Sequence, residues 1–120
     1  MPNGTLALTI SGGRNLKDQD LFGTMDPYVN FQLAAGTNVR SKWRCKTHAG
    51  GGKYPSWNDS HNFDVVEGDD RIQAQVYDED AVSDYCVGSC AIDLNTVYYR
   101  GMRDEYFPLE ACCPIIARAL

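Results

Sequence analysis

The chain has no long apolar run, no sustained helical periodicity and no low-complexity segment in its 120 residues. Apolar runs of only a few residues exclude a membrane-spanning helix, and no apolar stretch after Met1 suggests a secretory signal. With 43% hydrophobic and 22% charged residues, the composition is that of a globular protein. The length predicts a single domain over residues 1–120.

Cysteine and histidine supply little recognisable chemistry. Five cysteines are an odd number, and without a secretion signal they predict reduced thiols and a cytoplasmic location rather than a disulfide scaffold. Their spacing fits neither a zinc ribbon nor a zinc finger. His48 and His61 have no Ser or Cys partner in a recognisable catalytic arrangement, and the helices of a parallel α/β enzyme are missing. The sequence therefore predicts no enzyme.

Short stretches in which apolar and polar residues alternate predict six β-strands. The strands are centred on Leu6–Ile10, Val29–Leu33, Lys42–Lys46, Phe63–Val65, Ile72–Tyr77 and Cys90–Leu94. Residues 105–109 and 115–120 are weaker strand candidates, and Asn95 is predicted to cap one helical turn that ends at Gly101. The pattern predicts an all-β, eight-stranded antiparallel β-sandwich with one short helical turn.

Strand parity brings two acidic clusters together. If successive strands run antiparallel, the loops after strands one, three and five, residues 15–27, 48–56 and 79–86, emerge at one end. The first holds Asp18, Asp20 and Asp26, and Asp78 with Glu79, Asp80 and Asp84 lies at the third. Gathered carboxylates need a counter-ion, and oxygen ligands on loops favour calcium. Either cluster taken alone is also explained by solvated turn residues.

The net charge of −5 is unevenly distributed. Residues 27–58 contain no acidic residue but five of the eleven basic residues: Arg40, Lys42, Arg44, Lys46 and Lys53. Lys42, Arg44 and Lys46 alternate along one predicted strand and so project from one face. The chain is therefore an acidic body with a basic patch, and the net charge predicts no nucleic-acid partner.

Three segments carry a resemblance to a known family. Residues 20–29, Asp-Leu-Phe-Gly-Thr-Met-Asp-Pro-Tyr-Val, resemble the first calcium loop and next strand of a C2 domain. Residues 55–58, Pro-Ser-Trp-Asn, and residues 76–80, Val-Tyr-Asp-Glu-Asp, resemble later segments of that family, in the family's order. The chain thus resembles the small stand-alone C2 proteins of plants, with type II topology.

The resemblance implies calcium ligands at Asp20, Asp26, Asp78 and Asp80. The family's fifth ligand position is occupied by Cys86, and Asp84 is the nearest substitute. The resemblance further implies that calcium makes the loops bind an anionic phospholipid membrane, with Leu21, Phe22 and Val82 as candidates for insertion. Phe22 either inserts or folds back over the base of its loop.

Lys42, Arg44, Lys46 and Lys53 are the candidate lipid-binding residues of the basic patch. The alternation of Lys42, Arg44 and Lys46 is equally explained by solubility and protection of an exposed strand. The competing function is a calcium-independent adaptor that uses the same sandwich to bind a protein partner, and the altered third loop favours it.

Overall fold

The computed structural model describes residues 4–17, 24–80, 83–101 and 105–110. These residues form strands β1 Gly4–Gly12, β2 Pro27–Ala35, β3 Asn38–Arg44, β4 Ser56–Val65, β5 Arg71–Asp78 and β6 Tyr85–Asp93, then helix α1 Leu94–Arg100. β1 and β4 form a two-stranded sheet, and the other sheet has the order β3-β2-β5-β6. All pairings are antiparallel. The predicted all-β sandwich is confirmed, with six strands in the described residues.

The core follows the period-two pattern of the sequence. In β5, Ile72, Ala74 and Val76 are buried and the residues between them are half-buried. Side chains alternate between the two faces of a strand, so this pattern directs one face of β5 inward. Phe31, Phe63 and Leu94 come from other elements to pack in the same core. The sequence pattern thus locates the inner face of the four-stranded sheet.

Three strands differ clearly from their predicted bounds. β6 spans Tyr85–Asp93, so it begins five residues before the predicted Cys90, and Leu94 belongs to α1. β4 begins at Ser56, well before the predicted Phe63–Val65, because polar residues through Asn62 also pair with β1. β3 lies earlier than predicted and ends at Arg44, so that Lys46 follows the strand. The β2–β3 hairpin closes at the Ala35–Asn38 pair, and Gly36 in the turn has φ 58°, which glycine adopts readily.

Two expectations need correction at the end of the chain, and a third is untested. Asp93, not Asn95, caps α1: its side chain accepts the Asn95 N–H at 2.9 Å, whereas the predicted end at Gly101 is confirmed. Residues 105–109 form no strand, and only an isolated bridge joins Glu110 to Ser89. The candidate strand 115–120 lies outside the described residues.

The cysteines only partly follow the expectation of reduced thiols. Cys86 is disulfide-bonded, so the prediction is wrong for this residue. Cys45 and Cys90 are free thiols. Cys45 is buried, which raises the pKa of its thiol, and its Sγ accepts the Val29 N–H at 3.2 Å.

Candidate metal centre and basic strand

The connections after β1, β3 and β5 meet at one end of the sandwich, here called the three-loop end. The registers place Gly12 opposite Ser56, and Asp78 opposite both Pro27 and Tyr85. Backbone hydrogen bonds from Gly13 N to Pro55 O (3.0 Å) and from Gly52 N to Met25 O (3.0 Å) join the first two connections. The strand order therefore brings these segments together as parity predicts.

Asp26, the last residue of the first connection, contacts the other two connections and the end of β5. Its backbone N–H donates to Asp78 Oδ1 at 2.9 Å, and its carbonyl accepts the Glu79 N–H at 2.9 Å. Its own Oδ1 accepts the Gly50 N–H at 2.7 Å. Gly50 has φ 73°, a conformation that glycine adopts without strain. The glycine-rich second connection thus holds the Asp26 carboxylate in place with a backbone donor.

Asp78 is a buried carboxylate at the last residue of β5. It is 3% exposed, and one of its oxygens accepts the Asp26 N–H. The ion pairs within the described part of the chain are Arg40–Asp69, Arg44–Glu79 and Arg71–Asp70. None of them supplies Asp78 with a cationic side chain. Burial of an ionised carboxylate without such a partner is unfavourable.

Asp84 is held inside the third connection by two donors. The Tyr28 hydroxyl donates to its Oδ2 at 2.5 Å, and the Asp80 N–H donates to its Oδ1 at 3.0 Å. The hydrogen bond from Tyr28 holds the pKa of Asp84 below its usual range, and burial of Tyr28 raises the pKa of the phenol. Sequence reasoning missed this role of Tyr28. Its place two residues after Asp26 was the available signal.

The candidate ligands form two pairs, in which the backbone N–H of Asp26 donates to the Asp78 carboxylate and the backbone N–H of Asp80 donates to the Asp84 carboxylate. Within residues 4–17, 24–80, 83–101 and 105–110, no three His, Cys, Asp or Glu side chains gather closely enough to hold a metal ion by themselves. The predicted ligand Asp20 lies outside the described residues, as do Leu21, Phe22 and Val82. The donor set consists only of carboxylate oxygens, on loops and at the end of β5, and its chemistry fits a hard cation such as calcium.

The basic residues lie on two parts of the surface. Lys42 and Arg44 lie on β3, where Gln32 and Asn30 of β2 are their register partners. Lys46 follows β3, and its backbone N–H donates to Asp59 Oδ2 at 3.0 Å. Lys53 is exposed at the three-loop end. Because Gln32 and Asn30 are neutral, β2 does not compensate the positive charges of Lys42 and Arg44.

Arg44 makes contacts that the sequence did not suggest. Its guanidinium lies 3.5 Å from the centroid of the Tyr28 ring. It also donates to the Thr47 hydroxyl at 2.9 Å and pairs with Glu79 of the third connection. Thr47 in turn donates to Glu79 at 2.8 Å. These contacts join the basic strand to the acidic end.

Comparisons with known proteins agree with this architecture. A family model for the C2 domain matches residues 4–109. The 16 kDa phloem protein 2 of Arabidopsis thaliana is 34% identical over 102 residues, which cover 84% of this chain and 66% of that protein. The chain thus spans just under two thirds of that relative's length. Among the described helices, none is long and apolar enough to cross a membrane.

Two solved structures are similar to the chain. A C2 domain-containing protein from a putative elicitor-responsive gene has 30% identity and a TM-score of 0.66, with 83% of this chain and 71% of that chain covered. The tandem C2 domains of Extended-Synaptotagmin 2, solved with calcium bound, have a TM-score of 0.79 at 24% identity. That match covers 92% of this chain and 41% of the other, and it shows the fold alone.

Proposed function

Because the chain belongs to the C2 domain family, we propose that residues 1–120 form a single C2 domain that binds anionic phospholipid membranes in a calcium-dependent manner. The family resemblance of the sequence is confirmed by the family match and by the plant relative. The proposed calcium ligands are Asp20, Asp26, Asp78, Asp80 and Asp84. The proposed lipid contacts are Lys42, Arg44, Lys46, Lys53, Leu21, Phe22 and Val82. The proposed location is cytoplasmic, with recruitment to membrane surfaces.

The buried Asp78 carboxylate is the observation that supports this proposal most strongly. It lies where the three connections meet, and among the described residues its hydrogen-bond donor is the neutral backbone N–H of Asp26 and not a cationic side chain. Calcium bound there would supply the positive charge that the carboxylates need and coordination positions for lipid phosphate oxygens. Backbone N–H groups hold the carboxylates of Asp26 and Asp78 at this junction, and the Tyr28 hydroxyl holds the Asp84 carboxylate close by.

The basic strand supports an anionic surface as the partner. Lys42 and Arg44 stand beside uncharged amides, and Lys53 adds positive charge at the three-loop end. A basic side chain near an anionic leaflet contributes roughly 1 kcal/mol of attraction. The contribution falls with ionic strength because the charges are reached by solvent.

Calcium-independent binding of a protein partner is the second candidate function. The observation that favours it is that both Asp84 oxygens already accept hydrogen bonds from the chain itself. Cys86, which stands at the family's fifth ligand position, is disulfide-bonded and offers no carboxylate. Such a protein would use the rigid sandwich as a scaffold and would not respond to calcium.

Co-sedimentation with liposomes tests both candidates. We expect the purified protein to pellet with anionic but not neutral liposomes in calcium, and to remain in the supernatant in chelator. The Asp78→Asn, Asp80→Asn double variant should lose this pelleting. The double variant Asp64→Asn, Glu67→Gln removes the same formal charge from exposed positions at the opposite end and should retain it.

Other outcomes overturn the calcium proposal in distinct ways. Pelleting that ignores calcium but decreases steeply with salt would assign membrane binding to the basic strand alone. No pelleting under any condition would favour the protein-binding function.

A further inference from the structure

Among the basic residues proposed to contact lipid, Arg44 is the one best suited to hold a phosphate group. Its planar guanidinium can donate two parallel hydrogen bonds to one phosphate, whereas a lysine ammonium acts as a point charge. The Tyr28 ring lies 3.5 Å from the guanidinium and supports one of its faces. The orientation of Arg44 on the surface is therefore largely fixed before any ligand arrives.

The Arg44 donors already have an acceptor from the same chain. Glu79 reaches over from the third connection and accepts from both Arg44 and Thr47, so the three side chains form a closed set of hydrogen bonds. The Glu79 backbone N–H is anchored to Asp26 O at 2.9 Å. Glu79, which lies between the proposed ligands Asp78 and Asp80, thus occupies the hydrogen-bond donors of Arg44 on the basic strand.

The pair is accessible to an incoming ligand. The side chains of Arg44 and Glu79 are 46% and 47% exposed, so solvent reaches both partners. Exposed ion pairs are weak, and a phosphate with higher charge and more acceptor oxygens competes well with a single carboxylate.

We propose that Glu79 is an intramolecular competitor for phosphate, which occupies Arg44 in the free protein and is displaced by the phosphate monoester of an acidic lipid headgroup. This inference rests on the proposed membrane function. It assigns Glu79 an autoinhibitory role, in contrast to the ligand role of its neighbours Asp78 and Asp80. When a phosphate displaces Glu79 from Arg44, the Glu79 carboxylate loses its cationic partner and stays beside the proposed calcium ligands. Phosphate binding therefore strengthens the negative potential there, and by linkage calcium and phosphate favour each other's binding.

The test is vesicle binding in chelator, with phosphatidylcholine vesicles that contain phosphatidylinositol bisphosphate. Glu79→Gln should bind about three- to fivefold more tightly than the wild type, the factor that corresponds to loss of an exposed ion pair. Asp64→Asn, which removes one exposed carboxylate from the far end of β4, should bind like the wild type. Titration calorimetry with soluble inositol trisphosphate should show the same ranking if the free headgroup suffices.

Removal of a negative charge near an anionic surface increases binding without any direct contact, so two further variants isolate the Arg44 contact. Glu79→Asp keeps the charge but shortens the side chain, and it should behave like Glu79→Gln. In an Arg44→Ala background, Glu79→Gln should bring no gain, because the competitor has lost its target. A gain that persists without Arg44, or wild-type behaviour of Glu79→Asp, would overturn the inference in favour of general electrostatics.

Failure of this inference differs from failure of the proposed function. Wild-type protein that binds anionic vesicles in calcium, with Glu79→Gln indistinguishable from it in chelator, rejects the competitor alone. Absence of binding by every variant in both calcium and chelator rejects both.

Discussion

Two aspartates at opposite ends of β5 are almost equally buried but have very different partners. Asp69, just before the strand, is 2% exposed and accepts two hydrogen bonds from Arg40, at 2.5 and 2.7 Å, and one from the Val66 N–H at 2.9 Å. Asp78, the last residue of the strand, is 3% exposed and accepts the Asp26 N–H. At the first end, the chain itself compensates the buried charge.

The difference separates a structural carboxylate from a candidate functional one. The hydrogen bond from Arg40 holds the pKa of Asp69 below its usual range, so that Asp69 stays ionised where the β4–β5 turn packs on the hairpin. At the three-loop end, the same residue type is fixed in place by the backbone, and its compensation is left to a ligand under our proposal. Similar burial therefore does not imply a similar role.

Substitution of Asp69 should have the largest effect on stability. Asp69→Asn removes the buried carboxylate that accepts hydrogen bonds from Arg40 and from the Val66 N–H, and the loss of charge-assisted hydrogen bonds costs about 3 kcal/mol. Urea denaturation followed by circular dichroism measures the loss, while the calcium response should be retained. If Asp69→Asn lowered the free energy of unfolding by less than about 1 kcal/mol, the range of an exposed ion pair, Asp69 would contribute no more to stability than an exposed residue, and its contrast with Asp78 would be lost.

Calcium should stabilise the wild type through the other end of β5. Free calcium at about 100 times its dissociation constant would add about 2.7 kcal/mol to the free energy of unfolding. Asp78→Asn should abolish this increment, because it removes a buried anionic oxygen, and should change stability in chelator much less than Asp69→Asn does. Thermal unfolding with and without calcium gives both quantities. An unchanged calcium increment would remove Asp78 from the proposed ligands.

Acid should weaken the Asp69 end in a defined direction. Its folded-state pKa is lowered, so its contribution to stability is fully present above the unfolded-state pKa of about 3.9 and is lost as the pH falls through the folded-state pKa. Wild-type stability should therefore decrease below about pH 4 more steeply than that of Asp69→Asn. Urea midpoints over an acidic pH series check the slopes. Parallel slopes would show that Arg40 does not control this titration.

The hydroxyl of Tyr28 should make the smallest measurable contribution. Tyr28→Phe removes the hydrogen bond to Asp84 but keeps the ring under Arg44, and should reduce stability by about 1 kcal/mol. Tyr54→Phe is the matched control, because Tyr54 is 64% exposed and its hydroxyl donates to Asn15 at the surface. Equal denaturation midpoints for the two variants would mean that Asp84 is not held by Tyr28.

The comparison also shows what the sequence could predict. Alternation located most strands and their inner faces, because side-chain direction has a period of two, and parity placed Asp26 and Asp78 at one end. Alternation of apolar residues does not report polar pairing, which is why β4 was predicted too short. It also carries no information on which side chains meet across strands, so the Arg40–Asp69 and Arg44–Glu79 pairs were not foreseen.

The calcium ligands could be predicted only as a set of residue types on loops. Their identities came from a family resemblance, since no physical rule selects Asp26 over Asp18 from spacing alone. The cap of α1 was misplaced because Asp93 and Asn95 are both good capping residues, and packing of Leu94 in the core decides where the helix begins.

The indole of Trp57 gives the three-loop end a built-in optical probe. Its Nε1–H donates to the carbonyl of Pro27 at 2.9 Å, and Pro27 directly follows Asp26. The excited indole responds to the electric field and solvation around its N–H, so a change in charge at Asp26 should alter the emission of Trp57. Ligand titrations can therefore be followed by intrinsic fluorescence without an attached dye. Trp43, whose ring stacks on His61, also emits, and a Trp43→Phe background removes its signal.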